Sequence, residues 1–372
     1  MQIKIDFSNP WAGVAQGADA TVPSDARTQP AGGGLRCSFS APRHTLVAHT
    51  PEQVKPLLHA IEAFAKQGLW CVGYLRYEAA SAFDSALQTH PAEGPLAWFG
   101  VFDQALPWPA EHNLDETTTN AGEATQVNWH SALTRAEFDV QMDRIHAAIA
   151  AGEFYQVNYT APLRGDFVGN ASALFERLHR AQPKGYAAFI DSGGEQVLSV
   201  SPELFFDWKD NQILARPMKG TAPRGTDDVA DAALANGLRQ SPKERAENVM
   251  IVDLLRNDLS RIAQPHTVKV PTLFAVQTLP TVLQMVSDVT ASTRPGTTLC
   301  DVFTALFPCG SITGAPKVRA MQMIRALEPS PRGVYCGAIG VLRPGGHATF
   351  NVAIRTVTLT GRRATCGIGS GI

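Results

Sequence analysis

The sequence predicts an α+β fold in which large antiparallel β-sheets pack as a sandwich with helices outside. Three observations carry that expectation. Runs rich in aromatic and β-branched residues arrive in hairpin-like succession, helical patterns come in blocks between them, and no regular strand-helix-strand alternation runs along the chain. The last point argues against a doubly wound nucleotide-binding sheet.

Taken in order, the first 35 or so residues are rich in Gly, Ala and Pro and read as part loop, part edge strand. Thr50-Pro51-Glu52-Gln53 is a helix start, with a Thr cap, Pro at the first helical position and Gln at the third. Val54, Leu57, Leu58, Ile61 and Phe64 then share one face before Gly68 stops the helix. LWCVGYLRY and PLAWFGVF read as strands. The polar run 107–129 lacks periodicity and is the expected linker, dividing an N-terminal region, 1–125, that adds strands and a helix to the body from a C-terminal domain, 126–372. Thr134-Arg135-Ala136-Glu137 repeats the capping box ahead of Phe138, Met142, Ile145 and Ile149, and Gly152 ends that helix. A strand in FYQVNYTAPL, a short helix near 173–181, a hairpin through 197–218, a long helix from Ser241 and a helix over 316–327 follow. VYCGAIGVL, ATFNVAIRTVTL and ATCGIGSGI close the chain as antiparallel strands.

Composition narrows the function. The 372 residues are enough for about two to three core-sized units or one large two-part body. With 32 basic and 34 acidic side chains the net charge is −2, so nothing implies nucleic acid as a partner. Six cysteines stand without a CxxC pair and read as reduced thiols of a cytoplasmic protein. The first residues lack a secretory pattern, and no apolar run approaches the roughly 18 residues a membrane span needs.

Four constellations could carry chemistry. In VLSVSPELFFDWKDNQILARPMKGT, a two-residue turn at Asp210-Asn211 pairs Glu203 with Met218, one step from Lys219. A carboxyl and an amine therefore converge, although a slip of one residue would turn one of them to the other face. Both are ordinary surface charges in the plain reading. In the other, Lys219, before Gly220 and after an apolar strand, is a buried amine able to lose its proton and act as nucleophile or base.

On the helix from Ser241, Glu244 and Glu247 share a face, and two carboxylates suit a hard cation. Ser241-Pro242-Lys243-Glu244 is also a capping box, which explains Glu244 without a metal and leaves Glu247 the better ligand. FPCGSITGAPKVRAMQMIRALE runs a Gly-rich loop into a helix, where free amides bind anions; it lacks the order of a Walker loop, so a small carboxylate suits it as well as a phosphate. Arg355 is a cation within an apolar strand and needs a carboxylate partner, from the protein or from a substrate. Tyr335 reads as core or ligand.

Together GEFYQVNYTAPL, SPELFF, RPMKGTAPRG, ERAENVMIVDLLRNDLSRIA, FPCGSITGAPKVRAMQMIRALEP, YCGAIG and AIRT closely resemble the chorismate-utilising family, which includes anthranilate, aminodeoxychorismate, isochorismate and salicylate synthases. The resemblance runs from about Thr134 to Ile372. GYLRYEAASAFD resembles the version in bacterial aminodeoxychorismate synthases that are sometimes fused to a lyase domain. Two positions choose a branch by resemblance: Lys219 stands where the aminodeoxychorismate enzymes have a nucleophilic lysine and the anthranilate enzymes a small residue, and Gln156 stands where the water-using members have a lysine base.

The resemblance thus implies conversion of chorismate and ammonia to 4-amino-4-deoxychorismate for p-aminobenzoate and folate synthesis, with ammonia from a glutamine amidotransferase subunit and a fused or separate lyase downstream. It implies Lys219 as nucleophile, Glu203 as acid, Mg2+ on Glu247 and Glu244, and substrate contacts at Thr221, Ser311, Ile312, Thr313, Gly314, Ala315, Tyr335, Arg355, Gly369 and Gly371. Gln284 stands where many members have His. The family's second metal-binding glutamate lies on an acidic C-terminal helix beyond GIGSGI, so weak magnesium binding and a mobile end around Gly369 and Gly371 are expected. An anthranilate synthase component, against which Lys219 speaks, and a non-catalytic chorismate-binding protein are the competing readings.

Overall fold

A computed structural model describes residues 1–14, 33–109 and 125–372. Two ten-stranded antiparallel sheets organise these residues. The first runs, in spatial order, Gly314–Ala315 (β16), Gln156–Val168 (β8), Arg363–Gly371 (β20), Thr356–Thr360 (β19), Gln196–Ser201 (β10), Tyr186–Asp191 (β9), Gln2–Phe7 (β1), Leu35–Ser40 (β2) and Leu106–Pro107 (β6), with Gln126–Ser131 (β7) also on β8. The second runs Met218–Pro223 (β13), Val282–Ser292 (β15), Gln212–Arg216 (β12), Leu204–Lys209 (β11), Ala348–Val352 (β18), Ala338–Leu342 (β17), Trp70–Leu75 (β4), Ala97–Phe102 (β5) and His44–Ala48 (β3), with Lys269–Thr278 (β14) also on β15.

The period of two along each strand explains how the sheets stack. Val72, Tyr74, Trp98, Phe102, Ile339 and Val341 of the second sheet pack against Ile3, Ile5, Phe7 and Phe39 of the first. The alternate residues Cys71, Leu75, Phe99, Val101, Ala338 and Leu342 face outward, into a core shared with helices Pro51–Lys66 (α1), Pro242–Ser260 (α5) and Leu299–Leu306 (α6). The second sheet is thus buried on both faces, which is why its strands read as continuous apolar runs. Phe206, Phe303 and Phe350 are fully buried there, each worth about 2–3 kcal/mol of apolar burial. Helix Ala171–Ala181 (α3) covers the first sheet through Phe175. Arg135–Ala150 (α2), Asp228–Gln240 (α4) and Lys317–Leu327 (α7) complete the set.

The capping boxes at Thr50 and Thr134 form as read, and the Asp210-Asn211 turn has both residues at positive φ, 51° and 59°, as a two-residue hairpin requires. Other expectations need correction. The strand β1 is no edge, since β2 and β9 flank it on both sides. The helices α4 and α6 and the long ladder of β14 on β15 were not read from the sequence. The end of the chain is not loose, because β20 pairs with β8 as far as Gly371 against Asn158. The linker expected over 107–129 lies largely in 110–124, outside the described residues.

Candidate active site

The chain passes between the sheets at two neighbouring crossovers. One runs from β10 through Pro202 and Glu203 to β11; the other returns from β18 through 353–355 to β19. They are tied together: the Val352 N–H donates to the Glu203 carbonyl (3.1 Å), the Val200 N–H to the Arg355 carbonyl (3.1 Å), and the Ser201 hydroxyl to the Val352 carbonyl (2.6 Å). A cavity of about 820 Å³ opens beside this seam, and Glu203 and Arg355 both line it.

Lys219 reaches the same cavity from β13. The pairing of β13 with β15 slips between Met218 and Thr221, so Lys219 and Gly220 form a bulge, a device that re-aims a side chain. Gly220 sits at φ +97°, and a Cβ there would lie 3.1 Å from Glu244 Oε2 and 3.3 Å from the Met285 Cβ, so only glycine fits. Buried Asn248 supports the bulge, bonding the Lys219 carbonyl (3.5 Å) and accepting from Ser287 Oγ (2.6 Å).

Burial controls the protonation of the pair. Removal from water pushes the Glu203 carboxyl up to about 7, opposed by the Ser311 hydroxyl, the Lys219 charge and the Met218 amide. The same loss of water lowers the Lys219 amine, opposed chiefly by the Glu203 charge. Mutual attraction favours the charged forms; desolvation outweighs it on both groups, raising the carboxyl and lowering the amine. Glu203 Oε1 is buried without a hydrogen-bond partner.

Glu244 and Glu247 line the same cavity, Glu244 against Gly220. The capping box expected for Glu244 is only half formed. Ser241 accepts from the Glu244 N–H, but its own N–H is taken by the Leu238 carbonyl as α4 ends there, so the Glu244 carboxylate turns to Gly220 instead. Glu244 and Glu247 are therefore equivalent oxygen donors, and two carboxylates on one helix face suit a hard divalent cation that keeps some of its waters. Their protein partner, Lys243 at 3.9 and 3.6 Å, is 78% exposed and competes weakly. Among the described residues no three His, Cys, Asp or Glu side chains converge on one point.

Thr221 lines the cavity and accepts from Gln284 Nε2; Gly369 and Gly371 line it from β20. Tyr335 also lines it, from a turn before β17 and not from a strand, its ring lying under Gly367 where a Cβ would sit 2.1 Å away. Arg355 likewise is not in a strand: it occupies the crossover at φ 49°. The Gly-rich loop divides. Ser311 and Ile312 reach the cavity, whereas Thr313, Gly314 and Ala315 do not line it, because β16 pairs with β8. The free amides expected there are also absent at two positions, since the Ile312 and Thr313 N–H groups bond the Cys309 and Gly310 carbonyls.

Three buried residues that the sequence did not mark, Arg332, Glu78 and Gln182, support this wall. Arg332 donates to the Ile312 carbonyl (2.8 Å), the Asn158 carbonyl (2.7 Å) and Glu328 (2.6 Å), and Glu78 accepts from the Arg332 N–H (2.7 Å) just before Tyr335. Gln182, at the end of α3, lines the cavity and meets Arg355. No motif signals any of them.

A family model described as chorismate binding enzyme matches residues 14–372. The chain belongs to this family. This chorismate binding enzyme is 43% identical over 244 residues to aminodeoxychorismate synthase component 1 of Salmonella typhimurium, an alignment covering 66% of this chain and 54% of that one. It is 33% identical over 320 residues to anthranilate synthase component 1 of Methanothermobacter thermautotrophicus, covering 81% and 68%. The chain spans about half the length of the aminodeoxychorismate synthase components it matches. Among solved structures, anthranilate synthase component I from Streptococcus pneumoniae superposes with a TM-score of 0.78 at 23% identity, over 97% of this chain and 91% of that one. That likeness bears out the expected sheet architecture.

Proposed function

We propose that this protein aminates chorismate, taking ammonia and giving 4-amino-4-deoxychorismate on the route to p-aminobenzoate and folate. One observation carries the reading: Lys219, half-buried on the cavity wall with its amine pushed down by loss of water, stands with the buried Glu203, a carboxyl pushed toward its acid form. A neutral amine is a nucleophile and a neutral carboxyl is an acid.

The Lys219 amine attacks ring carbon 2. Both ring double bonds shift by one position, and the hydroxyl on carbon 4 departs as water with the Glu203 proton. Ammonia then adds at carbon 4, the double bonds shift back, and the bond from carbon 2 to the Lys219 nitrogen breaks. The Lys219 nitrogen leaves as the neutral amine with the protons it brought, and the one proton shed by the added ammonia restores Glu203, so the sum is chorismate plus ammonia to aminated product plus water. Glu244 and Glu247 would hold Mg2+, which supplies charge for the ring carboxylate. Arg355 and Tyr335 suit the second carboxylate.

The ammonia source is a glutamine amidotransferase subunit, and a lyase consumes the product. The compartment proposed is the cytoplasm, which suits six unpaired cysteines; no helix among the described residues is long and apolar enough to cross a membrane. Incubation with chorismate, magnesium and ammonium, with the product identified by mass and by its conversion with added lyase, tests the reading. Anthranilate as product would favour the alternative that the longer anthranilate synthase alignment supports, and unchanged chorismate would sink both.

A further inference from the structure

We infer that Gln182 binds the substrate carboxylate together with Arg355, an assignment that rests on the chorismate reading above. Gln182 closes α3 and is 7% exposed, and its side-chain oxygen accepts from Arg355 Nη1. A guanidinium can only donate, so this contact fixes the orientation of the amide: oxygen toward Arg355, nitrogen away. That nitrogen, Nε2, is buried with no hydrogen-bond partner. A native structure rarely leaves such a donor unpaired, and Leu178, Ala181, Val200, Ile354 and Val357, which line the same cavity, offer it no side-chain acceptor.

Arg355 has the complementary deficiency. Among the described residues it makes no ion pair, and Gln182 is its side-chain partner. Its backbone is in the left-handed region, φ 49°, a conformation that costs energy and recurs at ligand clamps. An unpaired cation and an unpaired amide donor, linked to each other and lining one cavity, form a fork for an anion with two oxygens. Glu244 and Glu247 line the same cavity. A substrate with two carboxylates satisfies both sides, one on the cation held by the glutamates and one on the Arg355-Gln182 fork. Gln182 has two roles there: it orients the guanidinium through its oxygen and contacts the ligand through its nitrogen.

The experiment measures chorismate affinity without ammonia, by calorimetry with magnesium present, together with steady-state constants for the wild type, Gln182→Leu and Gln182→Glu. For Gln182→Leu the expected result is Kd and KM raised roughly 10- to 100-fold, the effect of losing a hydrogen bond to a charged group, with a much smaller fall in kcat. Gln182→Glu places a carboxylate beside Arg355 that pairs with the guanidinium and repels the ligand's own carboxylate, so its loss of affinity should exceed that of Gln182→Leu. Wild-type Kd and KM in Gln182→Leu would overturn the assignment, as would loss of fold in both variants, which would make Gln182 a purely structural residue. A wild type that binds chorismate but makes another product would defeat the amination reading and leave the fork to be judged by the variants. A wild type that binds no chorismate would defeat both.

Discussion

Gly369 and Gly371 are two residues apart on β20, face the same cavity, and should respond to alanine in different ways. A Cβ at Gly371 would lie 2.6 Å from Gln156 Nε2, 3.1 Å from Gln156 Cδ and 3.2 Å from Lys219 Nζ. Ordinary carbon contacts lie at about 3.5–4.0 Å, so the two side chains must retreat by roughly 0.5–1 Å. Both obstacles are the far ends of flexible side chains, so the retreat costs little stability, less than about 1 kcal/mol. It moves the nucleophile, however, and a displacement near 1 Å costs on the order of 100-fold in rate. At Gly369 the added Cβ would meet the Thr160 methyl at 2.5 Å and the Tyr159 carbonyl oxygen at 2.8 Å, and backbone yields less readily. Gly369→Ala should therefore lower stability by about 1–3 kcal/mol. Urea unfolding and single-turnover kinetics on both variants separate the two effects. A Gly371→Ala protein with unchanged rate and reduced stability would refute the placement of Lys219 against β20.

Three further outcomes follow from the same geometry. Because Glu203 must be protonated to deliver its proton, the rate should fall as pH rises through about 7, and Glu203→Gln should be nearly inactive with no such limb; a wild-type limb that survives in the variant would show another acid at work. Glu244→Ala and Glu247→Ala should both weaken the magnesium dependence of activity with little change in melting temperature, since neither carboxylate caps the helix; a stability loss confined to Glu244→Ala would restore the cap. Burial raises Glu78 from 4.5 to about 7, so the folded state binds a proton more tightly than the unfolded one, and stability is lost as pH rises from about 4.5 to 7. Glu78's share of that slope, about 3 kcal/mol, should be missing in Glu78→Gln while the similar share of Glu203 remains, as urea titrations across that range would register.

Local signals in the sequence were reliable where one short segment supplies all the physics. Thr50, Thr134 and the Asp210-Asn211 turn each specify their geometry within four residues; the turn's register holds as far as Asp207 opposite Leu214, but a bulge between Asp207 and Leu204, which faces Arg216, shifts the expected Glu203-Met218 pairing by one residue. The reading failed where distant chain decides. Ser241 looks like an ordinary cap until α4 ends on it and takes its N–H, which releases Glu244. Arg355 and Tyr335 look like strand residues because their apolar neighbours continue on both sides, yet the chain changes sheets at Arg355 and turns at Tyr335. The loop 311–315 reads as an anion site from its composition, but β8 captures half of it. Gln182, Glu78 and Arg332 had no local signature at all: each matters through a partner more than 100 residues away in sequence, as in the Arg332 to Asn158 bond and the Arg355 to Gln182 bond.

The central claim is that the Lys219 amine forms the bond to the substrate. Its most direct test is the rate of chorismate consumption with saturating ammonium and magnesium by Lys219→Ala, in a protein shown by its melting temperature to be folded. Loss of a covalent nucleophile predicts a fall of at least roughly 1000-fold, of the order seen when an activated nucleophile is deleted. Turnover within a few-fold of wild type would contradict the account and reduce Lys219 to a charge lining the cavity.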